Sequence, residues 1–397
     1  MLGAIYIGLS GMNAYSKGLQ TISNNVANLN SLGFKATSTS FTDVFNYGGG
    51  GLTFSRGTDE QQSGNGVHFG EGQIDFRQGD LRQSEGDLDL AIQGSGFLVL
   101  LDGDRTYYAR TGQFVVDKDG YISQQGTENH LAVLDEAGRA VALNIDDKRT
   151  SAPIATTKVS FADNLSSTAT TATVSDVAVY DSLGGKQTWQ VKFDAVANSS
   201  PREWTITVLD QNGRTVGTST LKFIGSTVDP STSTLTITDN PAGADPLSVE
   251  LDFSSGVTSF SSGTASTLRA SSVDGNGVGA LTSVTVDTEG QIKLTYSNEK
   301  TDLLGAVAIA DFRDPQQLDR VGGGLLEDRH GARGRLLSSG TDGIGKLVSK
   351  QLEASNVDLS QQFGDLILIQ RGFQASSQVV SISNDMIQQL FGIRGQG

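Results

Sequence analysis

The stretch from Leu352 to Leu390 reads LEASNVDLSQQFGDLILIQRGFQASSQVVSISNDMIQQL, and its spacing indicates how the end of the chain folds. Apolar side chains recur along it every seven residues: Leu352, Leu359, Leu366, Phe373, Val380 and Ile387, with Phe363, Ile369 and Leu390 widening the stripe. A sustained seven-residue repeat is typical of helices paired in a left-handed superhelix. An amphipathic helix lying on its own domain's core fits this spacing equally well. The absence of a charged outer face favours a helix that is packed on several sides.

The N-terminus carries a second stripe with spacings of three and four residues. Its members are Leu2, Ile5, Leu9, Met12, Tyr15, Leu19, Ile22, Val26 and Leu29. Each glycine in this stretch costs a helix about 1 kcal/mol relative to alanine, and the asparagines add smaller penalties. We therefore predict that the two ends pair as helices, are largely disordered in the monomer and become ordered when chains associate.

Charge divides the chain into an acidic middle and two nearly uncharged ends. The 397 residues carry a net charge of −15, to which residues 1–42 contribute +2 and residues 366–397 contribute +1. Such acidity argues against nucleic acid or an anionic membrane as a charge-driven partner. Cysteine is absent and only three histidines occur, so thiolate chemistry is excluded and little remains for metal or acid–base work. The N-terminus resembles neither a secretory signal peptide nor a membrane span, so we expect no cleaved signal and no membrane insertion.

Between the ends the pattern is that of β-structure. Residues 88–101 form an apolar run interrupted by two glycines, and hairpin turns are expected at Asp119-Gly120, Ala137-Gly138, Asn212-Gly213 and Glu289-Gly290. Residues 151–280 contain 41 serines and threonines and both tryptophans, which indicates an inserted domain. The predicted fold class is mixed α and β, with terminal helices and two mainly-β domains nested one inside the other. The expected domains are a helical assembly domain (1–42 and 356–397), a flexible linker (43–71, with hinges near 48–51), an inner β domain (72–147 and 284–355) and an inserted outer β domain (148–283).

Three motifs that could carry chemistry are weak. Residues 340–346 nearly match a phosphate-binding loop, but Leu347 stands where a magnesium-binding hydroxyl is needed. Residues 274–277 suggest a calcium loop, but Val278 stands where an oxygen ligand is needed. Acidic pairs such as Asp87/Asp89 and Asp117/Asp119 fit solvated charges better than glycoside hydrolysis. We predict no catalytic, cofactor-binding or metal-binding residue and no cofactor.

Five segments carry a family resemblance. Residues 24–35 (NNVANLNSLGFK), 352–359 (LEASNVDL) and 370–375 (QRGFQA) resemble the terminal segments of the axial proteins of the bacterial flagellum, the rod and hook proteins. Residues 88–98 (LDLAIQGSGFL) and 108–114 (YARTGQF) resemble the β domain that this family shares. The positions that match the family signature are Asn24, Asn25, Asn28, Gly33, Phe34, Asn356, Val357, Asp358 and Arg371.

The insertion is similar to that of the hook members of the family. Residues 179–184 (VYDSLG) and 189–193 (WQVKF) resemble the opening of their extra domain, and residues 295–298 and 307–310 match further on. Glu299 departs from the pattern, which has glycine after the asparagine, so the geometry of that turn is open. Gly372 departs as well, because a stronger helix former is usual there, and it would permit close helix approach.

The resemblance implies a structural and non-enzymatic role. Such a chain would polymerise into a curved tube, the universal joint that transmits motor torque to the filament, with both helical ends lining the inner tube. It would be exported through the flagellar type III apparatus to an extracellular position, and would contact a distal rod protein, a hook cap protein and a hook–filament junction protein. A distal rod or other axial protein is the alternative. A secreted glycan-binding β protein with an aromatic cleft near Trp189 and Trp204 is a remote one.

Overall fold

The computed structural model describes residues 2–45, 64–200, 202–241, 243–332 and 334–394. The expected hinge at 48–51 lies outside these residues. By the density of contacts, the described chain divides into two compact units. The first unit comprises residues 1–146, 284–293 and 303–397, and the second comprises 147–283 and 294–302. The sequence carries no signal that separates 294–302 from the segments on either side of it.

Two long helices lie at the ends of the described chain. Helix α1 spans Leu2–Ala27 and helix α2 spans Leu359–Arg394. Helix α2 begins at Leu359 because the Asp358 carboxylate accepts hydrogen bonds from the backbone N–H groups of Ser360 and Gln361, at 2.8 and 3.2 Å. The prediction that Leu352 belongs to this helix is wrong, since Leu352 lies in a strand and its match to the seven-residue repeat is coincidental.

The strands that precede the insertion belong to the first unit. They are β1 Phe41–Phe45, β2 Gly64–Phe69, β3 Leu81–Gln83, β4 Asp89–Gln93, β5 Phe97–Asp102, β6 Arg105–Ala109, β7 Thr111–Val116, β8 Ile122–Gln124, β9 His130–Leu134 and β10 Ala140–Ala142. Strands β1 and β2 pair antiparallel, with Phe41 opposite Phe69. The described ends of the segment that was expected to be a flexible linker are therefore regular β-structure.

The insertion contributes a run of short and long strands to the second unit. They are β11 Thr150–Ser151, β12 Lys158–Asn164, β13 Thr171–Tyr180, β14 Lys186–Ala195, β15 Arg202–Leu209, β16 Thr215–Ile224, β17 Thr227–Val228, β18 Thr234–Asp239, β19 Leu247–Asp252, β20 Val257–Thr258 and β21 Arg269–Val273. The main sheet of this unit runs in the order β13-β14-β15-β16-β17-β20-β12-β19-β18, and β21 pairs with β12.

The chain returns through nine further strands to the start of α2. They are β22 Gly279–Val286, β23 Gln291–Tyr296, β24 Thr301–Ala306, β25 Ile309–Asp311, β26 Asp319–Gly322, β27 Leu325–Glu327, β28 Arg335–Leu337, β29 Lys346–Ser349 and β30 Gln351–Glu353. The main sheet of the first unit runs in the order β26-β27-β6-β5-β9-β8-β7-β4-β29. Within the apolar run 88–101, β4 pairs with β7 and β29, whereas β5 pairs with β6 and β9, so the two buried strands have different neighbours.

The predicted hairpin turns are confirmed, and aspartate organises each of them. In the turn between β15 and β16, Oδ1 of Asp210 accepts hydrogen bonds from the N–H groups of Asn212 and Arg214, both at 2.8 Å. Gly213 follows with a φ of 77°, a left-handed conformation that glycine adopts without strain. The same pattern starts at Asp117, Asp135 and Asp287. Glu299, where the family has glycine, also adopts a positive φ, of 64°.

The core of the second unit is aromatic. Trp189 and Trp204 are fully buried, and the rings of Phe161 and Phe253 stack with their centroids 4.6 Å apart. The burial of both tryptophans contradicts the aromatic cleft that a glycan-binding protein would need. Two of the three weak chemical motifs also have structural roles. Residues 340–346 lead into strand β29 rather than into a helix, and the Asp274 carboxylate accepts hydrogen bonds from the backbone N–H groups of Thr157 and Lys158.

Candidate assembly site

Helices α1 and α2 pack antiparallel along a seam of small residues. Gly8 lies against Val380, Gly18 lies against Ile369, and a β-carbon added at these glycines would meet those side chains at 2.6 and 2.9 Å. The buried residues of α1 are Gly8, Gly11, Ala14, Gly18, Ile22 and Asn25. The surface of α1 that faces α2 is therefore mainly a stripe of small residues, and the larger apolar stripe lies partly beside it.

Gly372 provides the reciprocal small position on α2. A β-carbon there would lie 2.5 Å from Cζ of Tyr15, so the ring of Tyr15 occupies the space that glycine leaves. The same ring lies 5.2 Å from that of Phe41, which in turn meets Phe69 edge-on at 5.9 Å. Strands β1 and β2 are thereby packed on α1. Gly372, which departs from the family pattern, is thus the position where the backbone of α2 comes close to the ring of Tyr15.

Asn25 ties the end of α1 to the start of α2. Its side chain is 1% exposed, its Oδ1 accepts a hydrogen bond from the N–H of Thr37 at 3.0 Å, and its Nδ2 donates to the Thr37 carbonyl and to Oε1 of Gln362, each at 2.9 Å. The side chains of Asn25 and Gln362 are both buried, so removing the amide of Asn25 would leave a buried polar group unpaired. This signature asparagine is a structural link between the two ends.

Asn356 forms the matching link from the C-terminal side. Its Oδ1 accepts from the N–H of Ala36 at 2.8 Å, and its Nδ2 donates to the carbonyl oxygens of Asp75 and Arg77 at 2.7 and 2.9 Å. One side chain thus holds two backbone segments that are about 40 residues apart in sequence. The start of α2, the segment after α1 and the first β unit are joined at this point.

A buried ion cluster lies beside these asparagines. Glu353 is fully buried, and its carboxylate contacts Nζ of Lys35 at 2.5 Å, Nε of Arg110 at 3.2 Å and the N–H of Gly79 at 2.8 Å. Burial lowers the pKa of Lys35, and the nearby Glu353 carboxylate opposes that shift. We call Lys35, Arg110 and Glu353 the buried clasp. Because each lies in a different segment of the chain, the clasp holds the N-terminal segment, the β sheet and the C-terminal segment together.

Arg110, the second cation of the clasp, also donates hydrogen bonds to backbone carbonyl oxygens. The guanidinium of Arg110 donates to the carbonyl groups of Ile92, Gly94 and Gly96 at 3.1, 2.6 and 2.5 Å. Together with Glu353, these carbonyls supply the acceptors that a planar, five-donor group needs when it is buried. Sequence reasoning missed the clasp, although all three members lie inside the segments that carry the family resemblance.

Phe34 and Gly33 border a cleft next to the clasp. The guanidinium of Arg320 lies over the ring of Phe34, 4.8 Å from its centroid, and donates to the carbonyl of Lys35. Burial lowers the pKa of Arg320. The cleft has a volume of about 610 Å³ and is also lined by Asn24 and Asn28, so several signature positions share one surface.

The predicted assembly residues occupy three environments. Ile22, Leu352, Val357 and Gly33 are buried; Ile5, Met12, Leu19, Val26, Asn28, Leu29, Phe34, Asn356, Leu366, Phe373, Val380 and Ile387 are half-buried; Leu9, Asn24, Asp358, Leu359 and Arg371 are exposed. The side chains of Leu2 and Leu390 lie outside the described part of the structure. Sequence reasoning also missed the small-residue seam, because glycine was weighed only as a helix-weakening residue.

Large apolar side chains remain exposed on both helices. On α1 they include Tyr6, at 65% exposure, and Leu9, at 51%; on α2 they include Leu368, at 70%, and Ile382, at 58%. Ile7, Phe363, Ile367, Val379, Met386 and Phe391 extend this surface. An exposed apolar surface of this extent marks an interaction site. Neither helix, over its described length, is apolar enough to span a membrane, and no three metal-ligating side chains cluster in the described ranges.

Comparison with known proteins decides the family. Residues 5–35 match the family of flagella basal body rod proteins, 144–277 match the D2 domain of the flagellar basal body protein FlaE, and 348–393 match the C-terminal family of the basal body rod proteins FlgEFG. The flagellar hook protein FlgE of Borreliella burgdorferi is 27% identical over 99% of this chain and 100% of its own length. The chain is a member of the flagellar hook protein family. The FlgE hook proteins of Escherichia coli (28% identical, 97% of this chain and 98% of its own) and Brucella suis (29% identical, 99% of each) are similar to it along nearly their whole lengths.

A solved structure shares the fold of this hook family member. The crystal structure of the Helicobacter pylori flagellar hook protein FlgE2 superposes with a TM-score of 0.51 at 15% identity. The match covers 69% of this chain and 100% of the solved one. At that identity the likeness concerns the fold, which in this hook family member is mostly β with one long helix at each described end.

Proposed function

We propose that this chain is the structural subunit of a flagellar hook, and that it polymerises into a curved tube through its helical ends. In this proposal α1 and α2 line the inner tube as a coiled-coil-like pair, and the β units form the outer part. The observation that carries the proposal is the exposed apolar surface of the helix pair. The buried clasp joins the segments next to the two helices and so holds this surface in place. A repeated head-to-tail contact between identical subunits produces an open helical assembly rather than a closed dimer.

The universal-joint role extends the proposal to the mechanics of the tube. The polar surfaces of the β units would slide past those of neighbouring subunits as the tube rotates, while the helices keep their contacts. A role of this kind requires no catalytic site. The partners would be the distal rod protein at one end of the tube, and the hook cap protein or the hook–filament junction protein at the other. Export through the flagellar type III apparatus would place the chain outside the cell.

Electron microscopy of the purified chain tests the proposal. We expect the concentrated full-length protein to form curved tubes, and a chain that ends at Asp358 to remain monomeric because it lacks α2. The truncated chain keeps Lys35, Arg110 and Glu353, so it retains the buried clasp and serves as a matched control. Straight tubes would favour a distal rod protein, and monomers from both chains would refute the assembly role of the helices.

Removing the insertion separates assembly from mechanics. A chain that lacks residues 151–280 should still polymerise, because the exposed helical surface is unchanged. Its tubes should be straight or altered in stiffness when they are compared with full-length tubes by the same microscopy. Loss of all polymer from a chain whose circular dichroism retains the helical signal would show that assembly depends on the insertion.

A further inference from the structure

Helix α2 carries a second regular stripe, on the side that faces away from α1. The residues that approach α1 include Ile369, Ser376 and Val380. Arg371 lies two positions after Ile369 and therefore faces the opposite way. Continuing from Arg371 with steps of three and four residues gives the outward stripe: Gly364, Leu368, Arg371, Ala375, Gln378, Ile382, Asp385 and Gln389. Every member of this stripe is exposed. The stripe has the spacing of a helix-pairing surface but has no partner within the described chain.

The outward stripe contains one cation and one anion, and neither is paired. Arg371 and Asp385 form no ion pair or side-chain hydrogen bond with any described residue. Bringing such a stripe against apolar surface without pairing its charges would be costly, because a charge removed from water needs a partner. Any neighbour that covers the stripe must therefore supply an anion near Arg371 and a cation near Asp385.

A second copy of the same stripe supplies both the anion and the cation when the two copies are aligned in one particular register. Arg371 and Asp385 are separated by 14 residues, and so are Leu368 and Ile382, the most exposed apolar members of the stripe. If two parallel copies are shifted by 14 residues, Arg371 of one lies opposite Asp385 of the other, and Leu368 lies opposite Ile382. An unshifted parallel pair would set Arg371 against Arg371, and a shift of one seven-residue repeat would set it against Gln378. Copies related by a helical polymer's repeated contact are parallel, as this register requires.

We propose that the outward stripes of neighbouring copies pair in parallel with an axial shift of two heptads, and that an Arg371–Asp385 ion pair between copies fixes this shift. The shift corresponds to about 21 Å at the helical rise of about 1.5 Å per residue. The inference rests on the proposed function, since it specifies how the subunits of the polymer contact each other. The ion pair selects the register, and the apolar pairs at Leu368 and Ile382 provide the buried area.

Charge reversal with rescue tests the pairing. We expect Arg371→Glu and Asp385→Arg, each alone, to raise the concentration needed for polymerisation about tenfold or more, because like charges then meet in the interface. The double variant Arg371→Glu/Asp385→Arg should restore polymerisation, and so should an equimolar mixture of the two single variants, which can alternate along the contact. Ser377→Glu, which adds a charge at an exposed position off the stripe and at neither three nor four residues from Arg371 or Asp385, is the control and should polymerise like the unmodified chain. Sedimentation of polymer is the readout.

The outcomes separate this inference from the proposed function. Failure of the unmodified chain to polymerise under all conditions would refute the proposed function. If the unmodified chain polymerises and the single reversals polymerise equally well, or if neither the double variant nor the mixture is rescued, the ion pair is refuted while the proposed function stands.

Disulfide trapping tests the register without altering charge. The chain has no cysteine, so Leu368→Cys/Ile382→Cys introduces the only two thiols. In the shifted register, oxidation of polymers of this variant should give a ladder of linked chains on a non-reducing gel. Each single cysteine variant should give monomer, because its thiol faces a leucine or an isoleucine. Dimers from Leu368→Cys alone would indicate an unshifted pair, and absence of a ladder from intact polymers of the double variant would overturn the proposal.

Discussion

The helix pair and the inserted β unit bury their apolar side chains in opposite ways. In the inserted unit, Trp189, Trp204, Phe193 and Phe223 are all at most 1% exposed. In the helices, several large apolar residues are more than half exposed, and the contact between α1 and α2 sets small residues such as Gly8 and Gly18 of α1 against Val380 and Ile369 of α2. The inserted unit thus completes its own core, whereas the helix pair leaves several of its large apolar side chains available for a partner.

The two regions also differ in whether their charged side chains are paired within the region. In the inserted unit, carboxylates such as Asp210 and Asp252 are held by backbone amides or by basic side chains of the same unit. On the helices, Lys17, Arg371 and Asp385 have no ion-pair partner among the described residues. A region that pairs its charged side chains internally is suited to independent stability, and one that leaves them unpaired is suited to association.

The largest expected effect is on the core of the inserted unit. Trp189→Ala removes a fully buried indole and should lower the free energy of unfolding of that unit by about 3–5 kcal/mol. The fluorescence of Trp204, the other tryptophan of the same unit, would report the unfolding transition in urea. Polymerisation by the helices should be unchanged, and Trp189→Phe should have a smaller effect on stability. A loss of polymer from a still-folded Trp189→Ala variant would break the distinction between the two regions.

Breaking the buried clasp should affect the helix-bearing unit instead. Glu353→Gln leaves Lys35 and Arg110 buried without a carboxylate, and we expect a loss of about 3–5 kcal/mol in the unfolding of that unit. Far-UV circular dichroism would follow the loss of helix, while tryptophan fluorescence, which reports on the inserted unit, should change little. Asp87→Asn removes an exposed ion pair with Lys350 and is the matched control, with an expected loss of at most about 1 kcal/mol. Equal effects of the two substitutions would contradict the clasp.

Sequence reasoning predicted the regular elements better than their contacts. The four hairpin turns could be predicted because aspartate and glycine at fixed spacing dictate local backbone geometry. The existence of both helices could be predicted from periodicity, but the start of α2 could not, because Leu352 happens to continue the seven-residue repeat inside a strand. The capping carboxylate of Asp358 is the local signal that decides this boundary.

The contacts of the candidate site were harder to predict for a physical reason. Lys35 and Glu353 are more than 300 residues apart in sequence, and a single charged residue in an uncharged segment gives no indication of its partner. The role of Gly8 and Gly18 was missed because helix propensity measures the cost of glycine in an isolated helix and takes no account of a neighbouring helix. The expectation that both ends are disordered in the monomer stays a prediction, which hydrogen exchange at Leu9 and Val380 would test.

A smaller effect is expected at the seam between the helices. Gly18→Val would place a branched side chain against Ile369 and Phe41 and should destabilise the helix pair by about 1–3 kcal/mol. Gly3→Ala is the control, because nothing lies within 4 Å of the position its β-carbon would take, and the substitution should strengthen the helix slightly. Thermal unfolding followed by circular dichroism measures both. If Gly18→Val were as stabilising as Gly3→Ala, close packing at the seam would be refuted.

The smallest expected effect is on the loss of stability of the inserted unit at acidic pH. Backbone N–H groups and the guanidinium of Arg214 stabilise the charged form of Asp210 and lower its pKa below the ordinary value of 3.8. The unfolded chain therefore takes up this proton at a higher pH than the folded chain does. The stability contributed by Asp210 is complete above the unfolded pKa and is lost as the pH falls through the lowered, folded pKa.

Asp210→Asn isolates this contribution, because the amide oxygen can still accept from the N–H groups of Asn212 and Arg214 but does not carry the titrating charge. Urea unfolding followed by tryptophan fluorescence, repeated between about pH 5 and pH 3, should give a shallower fall of stability for the variant than for the unmodified chain. Asp194→Asn, at an exposed side chain that accepts no hydrogen bond in the described structure, should leave the slope unchanged. Identical slopes for all three proteins would show that the turn is held by its backbone alone and that the carboxylate contributes no pH dependence. In that case the self-sufficiency of the inserted unit would rest on its aromatic core and not on its aspartate turns.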